Sequence, residues 1–128
     1  MKKTILIALL ALSLLLPAFL AMAQDDLKEI KSEAFGKLQR PAVAFDHNAH
    51  NEKAKIEDCL VCHHSGENGV QDKTTGSEGT PCSECHKVKP ADKKATSLMR
   101  AYHKQCIACH TQQKKGPLAC GECHVRKK

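Results

Sequence analysis

Tryptophan is absent from this 128-residue chain, tyrosine occurs once and phenylalanine three times. Aliphatic residues are scarce beyond the first stretch. From Gln24 onward, Leu, Ile, Val and Phe number 15 among 105 residues, about 14%, below the roughly 20% under which chains usually cannot bury enough apolar surface to fold. That shortage excludes a conventional hydrophobic core, so disulfides, a metal or a large apolar cofactor must supply what the side chains do not. After Gln24 no apolar run approaches the roughly 18 residues of a membrane helix, so no stable membrane insertion is expected.

The apolar residues that are present concentrate at the start. Lys2 and Lys3 precede the run Ile5 to Leu16, Pro17 breaks it, and Ala21-Met22-Ala23 has the small-x-small form of a cleavage site. Residues 1–23 therefore read as a secretory signal peptide cleaved after Ala23, and 24–128 as one exported domain. Without Lys2 and Lys3 the balance is 18 basic to 14 acidic residues, near +4. The basic residues are scattered without interleaved aromatics and an exported chain rarely meets nucleic acid, so no nucleic-acid role is expected.

All eight cysteines fall in four units of one form: Cys59-Leu60-Val61-Cys62-His63, Cys82-Ser83-Glu84-Cys85-His86, Cys106-Ile107-Ala108-Cys109-His110 and Cys120-Gly121-Glu122-Cys123-His124. C-x-x-C-H is the attachment signature of c-type haem. Two thiols a helical turn apart reach the two vinyl groups of the porphyrin, and the histidine supplies the proximal iron ligand. A disulfide framework or a zinc site could use paired cysteines, but neither needs a histidine after every pair. Four covalently attached haems are therefore expected.

The histidine count sets the coordination. His63, His86, His110 and His124 are proximal by position, which leaves His47, His50, His64 and His103 for four sixth ligands. The competing ligand type is methionine, but Met1 and Met22 fall in the signal peptide; Met99 alone remains, and it reads as packing against a porphyrin. Bis-histidine ligation of all four irons is the economical reading. His63 and His64 are adjacent and diverge, so His64 must serve a haem other than the one on Cys59 and Cys62. His47 and His50, if on a helical turn, would lie close together and hold neighbouring irons, or one iron and a second group, so that one short segment ties several haems together.

Regular structure is expected to be sparse, with short helices, much irregular chain and cofactors as the organising core. Asp25 to Leu38 admits a short helix or one arm of an N-terminal hairpin. Ala42 to Phe45 reads as extended, leading into the His47/His50 pair. Residues 65–80 hold four of the seven glycines and read as a mobile surface loop. The best helix runs from Thr96 as N-cap through Cys109, with Leu98, Met99, Tyr102, Cys106 and Cys109 on one side. Gly116-Pro117 closes the third segment, and the chain ends on Arg126-Lys127-Lys128.

Phe45-Asp46-His47-Asn48-Ala49-His50 followed by Cys59-x-x-Cys62-His63-His64, then the units at 82–86, lone His103, 106–110 and 120–124, resembles the tetrahaem cytochrome c3 family, the class III cytochromes c. The order of all eight histidines carries the likeness across nearly the whole mature chain. It implies a small, mostly α multihaem fold. It also implies that His47 is the sixth ligand of the haem on Cys59, Cys62 and His63. By the same likeness His50 serves the haem on Cys106, Cys109 and His110, His64 that on Cys82, Cys85 and His86, and His103 that on Cys120, Cys123 and His124. Phe45 looks like the aromatic that packs on the first haem. The chain departs from many members in using C-x-x-C-H throughout, where they carry C-x-x-x-x-C-H at the second and fourth haems. The family's lysine cluster around the fourth haem is only loosely echoed, by Lys104, Lys114, Lys115, Arg126, Lys127 and Lys128.

The implied function is a monomeric, periplasmic, low-potential electron carrier. Its partners would be a dehydrogenase, such as hydrogenase or formate dehydrogenase, and membrane-bound cytochrome complexes. Two imidazoles leave iron no open position, so outer-sphere electron transfer is expected and not catalysis. A multihaem reductase, which would need an open iron, and an outer-sphere reductase of metal ions are the alternatives.

Overall fold

The computed structural model describes residues 27–126. The signal peptide, its cleavage site and the tail residues Lys127 and Lys128 lie outside the described residues. No helix among those described is long and apolar enough to cross a membrane.

Among the described residues, two small antiparallel sheets, four α-helices and two 3-10 turns make up the regular structure. Strand β1 (Glu29–Ile30) pairs with β2 (Val43–Ala44), Glu29 opposite Ala44 and Ile30 opposite Val43. Of the two forms expected for the segment from Asp25, the described part from Leu27 begins as the hairpin arm; a single 3-10 turn, Glu33–Phe35, follows it and ends at Gly36 with φ 62°. The pairing continues as Phe45 N–H donates to Lys28 O (2.9 Å) and His47 N–H to Leu27 O (3.0 Å). The chain therefore enters helix α1 (His47–Ala54) at a fixed angle. Asp46 caps that helix, its carboxylate accepting from Ala49 N–H, and Lys55 closes it in the left-handed region at φ 56°.

Residues 65–80 are not the loop that their glycines suggested. Strands β3 (His64–Glu67) and β4 (Val70–Gly76) form an antiparallel hairpin. Asn68 (φ 53°) and Gly69 (φ 79°) are both left-handed, which is the two-residue Asn-Gly turn that matches strand twist. An irregularity between His64 and Ser65 shifts the register, so that His64 opposes Gly76. Along β4 the Asp72 carboxylate accepts from Thr74 Oγ1 (2.7 Å) and Thr74 N–H (2.8 Å). The Thr74 hydroxyl first, then its backbone N–H, hold the Asp72 carboxyl down from 3.8 to about 2. A folded-state value depressed in this way stabilises the hairpin above the ordinary carboxyl range and ceases to do so as pH falls through about 2. Amide protection in β4, measured against the intrinsic exchange rate at each pH, should accordingly fall between about pH 4 and 2, and in Asp72→Asn this fall should vanish.

Helix α2 (Cys82–Cys85) is a single turn, α3 (Leu98–Gln113) is the long element and α4 (Cys120–Cys123) is again a single turn. The long helix begins at N-cap Ser97, one residue later than expected, and runs four residues beyond Cys109 to a left-handed Lys114 at φ 53°. Thr111, Gln112 and Gln113 offer no helix breaker, so the third attachment unit lies wholly inside α3. Leu98 is the one described side chain fully buried from solvent, at 0% exposure. Val61, Ile107, Met99 and Leu118 remain between 39% and 60% exposed. The polypeptide thus presents apolar faces that it does not itself cover, Met99 among them.

Candidate functional site

Each attachment unit closes a turn that puts both thiols and the histidine on one side. In the first, the 3-10 turn Cys59–Val61 is capped by Asp58, whose carboxylate accepts from Leu60 N–H (2.9 Å), and His63 N–H donates to Cys59 O (2.8 Å). The second and fourth repeat that bond: His86 N–H to Cys82 O (2.8 Å) and His124 N–H to Cys120 O (2.9 Å). The fourth is further held by Glu122, whose carboxylate accepts from Ala119 N–H (2.7 Å) and Leu118 N–H (3.0 Å). These two backbone donors lower the Glu122 carboxyl from its ordinary range. None of the eight cysteines is paired in a disulfide. Burial pushes the thiols of Cys62, Cys106 and Cys123 up, which suits them poorly as spontaneous thiolate ligands.

The eight histidines meet in four pairs. Ring centroids are 6.2 Å apart for His47 and His63, 6.2 Å for His50 and His110, 6.1 Å for His64 and His86, and 6.2 Å for His103 and His124. Metal-to-imidazole bonds of about 2.0 Å on each side, with about 1.1 Å from nitrogen to ring centre, would separate centroids by about 6.2 Å. The spacing therefore fits one metal between each pair. Among the described residues no group of three or more His, Cys, Asp or Glu converges on a metal position.

The imidazole tautomers fit the same arrangement. A carbonyl oxygen can only accept, so a ring nitrogen bonded to one must carry the proton. Nδ1–H of His86 donates to Thr96 O (3.0 Å), of His103 to Met99 O (2.7 Å), of His110 to Pro117 O (2.8 Å) and of His124 to Pro41 O (2.7 Å). In the neutral form of these four rings the lone pair is therefore on Nε2, the state that a metal ligand needs. On α1, His47 Nδ1 donates to Asn48 Oδ1 (3.1 Å) and His50 Nδ1 faces Asn51 Oδ1 at 3.5 Å. The Asn51 amide also donates weakly to His47 Nε2 (3.4 Å). His64 Nδ1 is buried and has no partner.

Neighbouring side chains brace the pairs. Phe45 packs on His50 (4.7 Å), the histidine that the likeness gives to the third haem, more closely than on His47 (6.3 Å), the one that it gives to the first. Gln105, one residue before Cys106, donates its amide to Val61 O and so joins the first attachment turn to α3. Gly116 is left-handed at φ 89°, and a Cβ there would lie 2.7 Å from His110 Cδ2. Gly116→Ala is therefore expected to push the His110 ring out of line with His50 as well as to strain the backbone. In the loaded protein its signature would be the loss or change of one low-spin iron signal in four; four unaltered signals would contradict it.

Sequence reasoning found the histidines and cysteines but not their supports. Thr96, Met99, Pro117 and Pro41 act through backbone carbonyls, which no side-chain pattern reveals. The Asn after His47 and again after His50 was a visible repeat, and the role of Gly116 was hidden behind its reading as a segment end.

A sequence profile for the class III cytochrome C family matches residues 22–124. A cytochrome c3 from Desulfovibrio desulfuricans is 36% identical over 106 residues, covering 76% of this chain and 91% of that protein. A cytochrome c3 from Maridesulfovibrio salexigens is 32% identical over 107 residues, covering 77% and 92% respectively. Among solved structures, high-molecular-weight cytochrome c from Desulfovibrio vulgaris (Miyazaki F) aligns over 79% of this chain and 20% of its own, at 28% identity and a TM-score of 0.47.

Proposed function

Because the chain belongs to the class III cytochrome c family, we propose that it is a periplasmic, low-potential electron carrier with four bis-histidine haems. Multihaem electron transfer by covalently bound c-type haem, without enzymatic activity, follows from the family itself. The number of haems, their ligation and the partners are our reading. The observation that carries it is the set of four histidine pairs with ring centroids 6.1 to 6.2 Å apart.

The haem iron supplies reversible one-electron chemistry, at lower potential with two histidines than with methionine and histidine. Everything else is the chain's work. Cys59 and Cys62, Cys82 and Cys85, Cys106 and Cys109, and Cys120 and Cys123 anchor the four groups. His63 with His47, His86 with His64, His110 with His50 and His124 with His103 would hold the four irons, one pair to each, and so would keep water and substrates from the metal. Nδ1–H bonds to fixed carbonyls hold four of these rings in the coordinating tautomer without reorganisation on electron arrival.

The short chain also sets the spacing between sites. His47 and His50 project from one turn of α1, and Gln105 ties the first attachment turn to the helix carrying the third. Sites so connected favour hopping. Lys104, Lys114, Lys115 and Arg126 supply positive charge around the third and fourth attachment units, suited to transient docking steered by charge. The partners that we propose are a hydrogenase or formate dehydrogenase as donor and a membrane-bound cytochrome complex as acceptor. The protein acts as a monomer.

Carbon monoxide tests the closed coordination. The native ferrous protein should form no adduct, and it should take up four electrons per chain from a hydrogenase under hydrogen. A stoichiometric adduct would point instead to an open iron and the chemistry of a multihaem reductase.

A further inference from the structure

The four histidine pairs differ in how their outer nitrogens are satisfied. His103 and His124 both donate Nδ1–H to backbone carbonyls at 2.7 Å. His64 and His86 are the opposite case. His86 donates to Thr96 O at 3.0 Å, but His64 Nδ1 is buried and has neither a protein acceptor nor access to solvent. Its position explains the difference. His47 and His50 sit on a helix, where the following Asn can reach the ring. His64 begins strand β3, where the following side chain points to the other face of the sheet, and the Ser65 hydroxyl is spent on Thr75 O (2.9 Å).

A second observation singles out the same site. The Tyr102 hydroxyl lies beside Cys82, one of the two thiols of the second unit, and beside Ser32. Its ring also packs near Phe35, with centroids 6.4 Å apart.

We infer that the His64/His86 site is the most readily reduced of the four and the His103/His124 site the least, so that the first electron to enter settles between His64 and His86. The inference rests on the four-site bis-histidine reading. A ring nitrogen that donates to a carbonyl makes the opposite nitrogen a stronger electron donor to the metal. Stronger donation favours the ferric state and lowers the potential, and second-shell hydrogen bonding is one of the levers by which a protein sets it. His103 and His124 both have that support, whereas His64 has none. The Tyr102 hydroxyl, donating toward the Cys82 sulfur, withdraws density and acts in the same direction as the unpartnered ring. The step is a single electron from a low-potential one-electron donor protein converting ferric to ferrous iron; no bond forms or breaks and no proton moves. His64 and Tyr102 are positioning residues in this scheme.

The test is a site-assigned NMR redox titration of the full holoprotein. The order of reduction should begin at the His64/His86 site and end at the His103/His124 site. In the fully reduced protein the His64 Nδ1–H should exchange slowly but lack the downfield displacement shown by those of His103 and His124. Tyr102→Phe, which keeps the ring against Phe35, should lower the midpoint of the His64/His86 site alone, with its low-spin signature retained. Reversal of the two ends of the order, a hydrogen-bonded shift at His64, or an unmoved midpoint in Tyr102→Phe would each overturn the inference while leaving four bis-histidine haems intact. A haem count below four, or an absent low-spin signal before titration begins, would instead overturn the reading beneath it, and the inference with it.

Discussion

Leu98→Ala should cost about 2–5 kcal/mol, the range for removing a fully buried leucine from a site that cannot collapse. That is a large share of the about 5–15 kcal/mol that holds a small domain together. Leu98 is 0% exposed and stands alone in this among the described residues. It opens α3, and its N–H donates to Lys87 O (2.9 Å), so the side chain and the backbone together pin the long helix to the segment just after the second attachment unit. Thermal unfolding of the holoprotein should fall by about 10 °C or more. Leu98→Met, which roughly conserves volume, should lose under about 1.5 kcal/mol. A Leu98→Ala variant as stable as the parent would mean that the polypeptide contributes no packing of its own.

His103→Ala should convert a protein that takes up no carbon monoxide into one that binds one equivalent per chain. His103 lies on α3, with its Nδ1–H held by Met99 O one turn earlier. The thiols Cys120 and Cys123 and the proximal His124 lie on a separate turn, braced by Glu122 and by Pro41 O. Removing the His103 ring therefore leaves that attachment in place and opens only the face opposite His124. One iron in four should become high-spin when ferrous, and His103→Met should restore a closed low-spin site at higher potential. Unchanged optical spectra and no adduct in His103→Ala would refute the pairing of His103 with His124.

The residues that we propose carry the chemistry stand out in the sequence because coordination demands particular side chains at particular spacing. The four C-x-x-C-H units, the four remaining histidines and the divergence of His63 from His64 could all be read directly. The scarcity of Leu, Ile, Val and Phe foretold a polypeptide with almost no core of its own, and Leu98 alone is fully buried among the described residues. The hairpin from His64 to Gly76 was misread because four glycines suggested mobility, while Asn68-Gly69 was the signal that mattered. The end of α3 was placed too early because the second thiol of a motif was taken as a boundary, although Thr111 to Gln113 continue the helix without strain. The carbonyls that fix the histidine tautomers could not have been read at all, since Pro41 and His124 come together across 83 residues through backbone alone.

The central claim is that four irons, each closed by two imidazoles, stand where a small domain would ordinarily keep its apolar interior. Low-temperature electron paramagnetic resonance of the oxidised protein, quantified against a haem determination on the same sample, tests it most directly. The account predicts four haems per chain and four low-spin bis-imidazole signals. Fewer than four haems, a high-spin fraction in the native protein, or a folded chain without colour would contradict it.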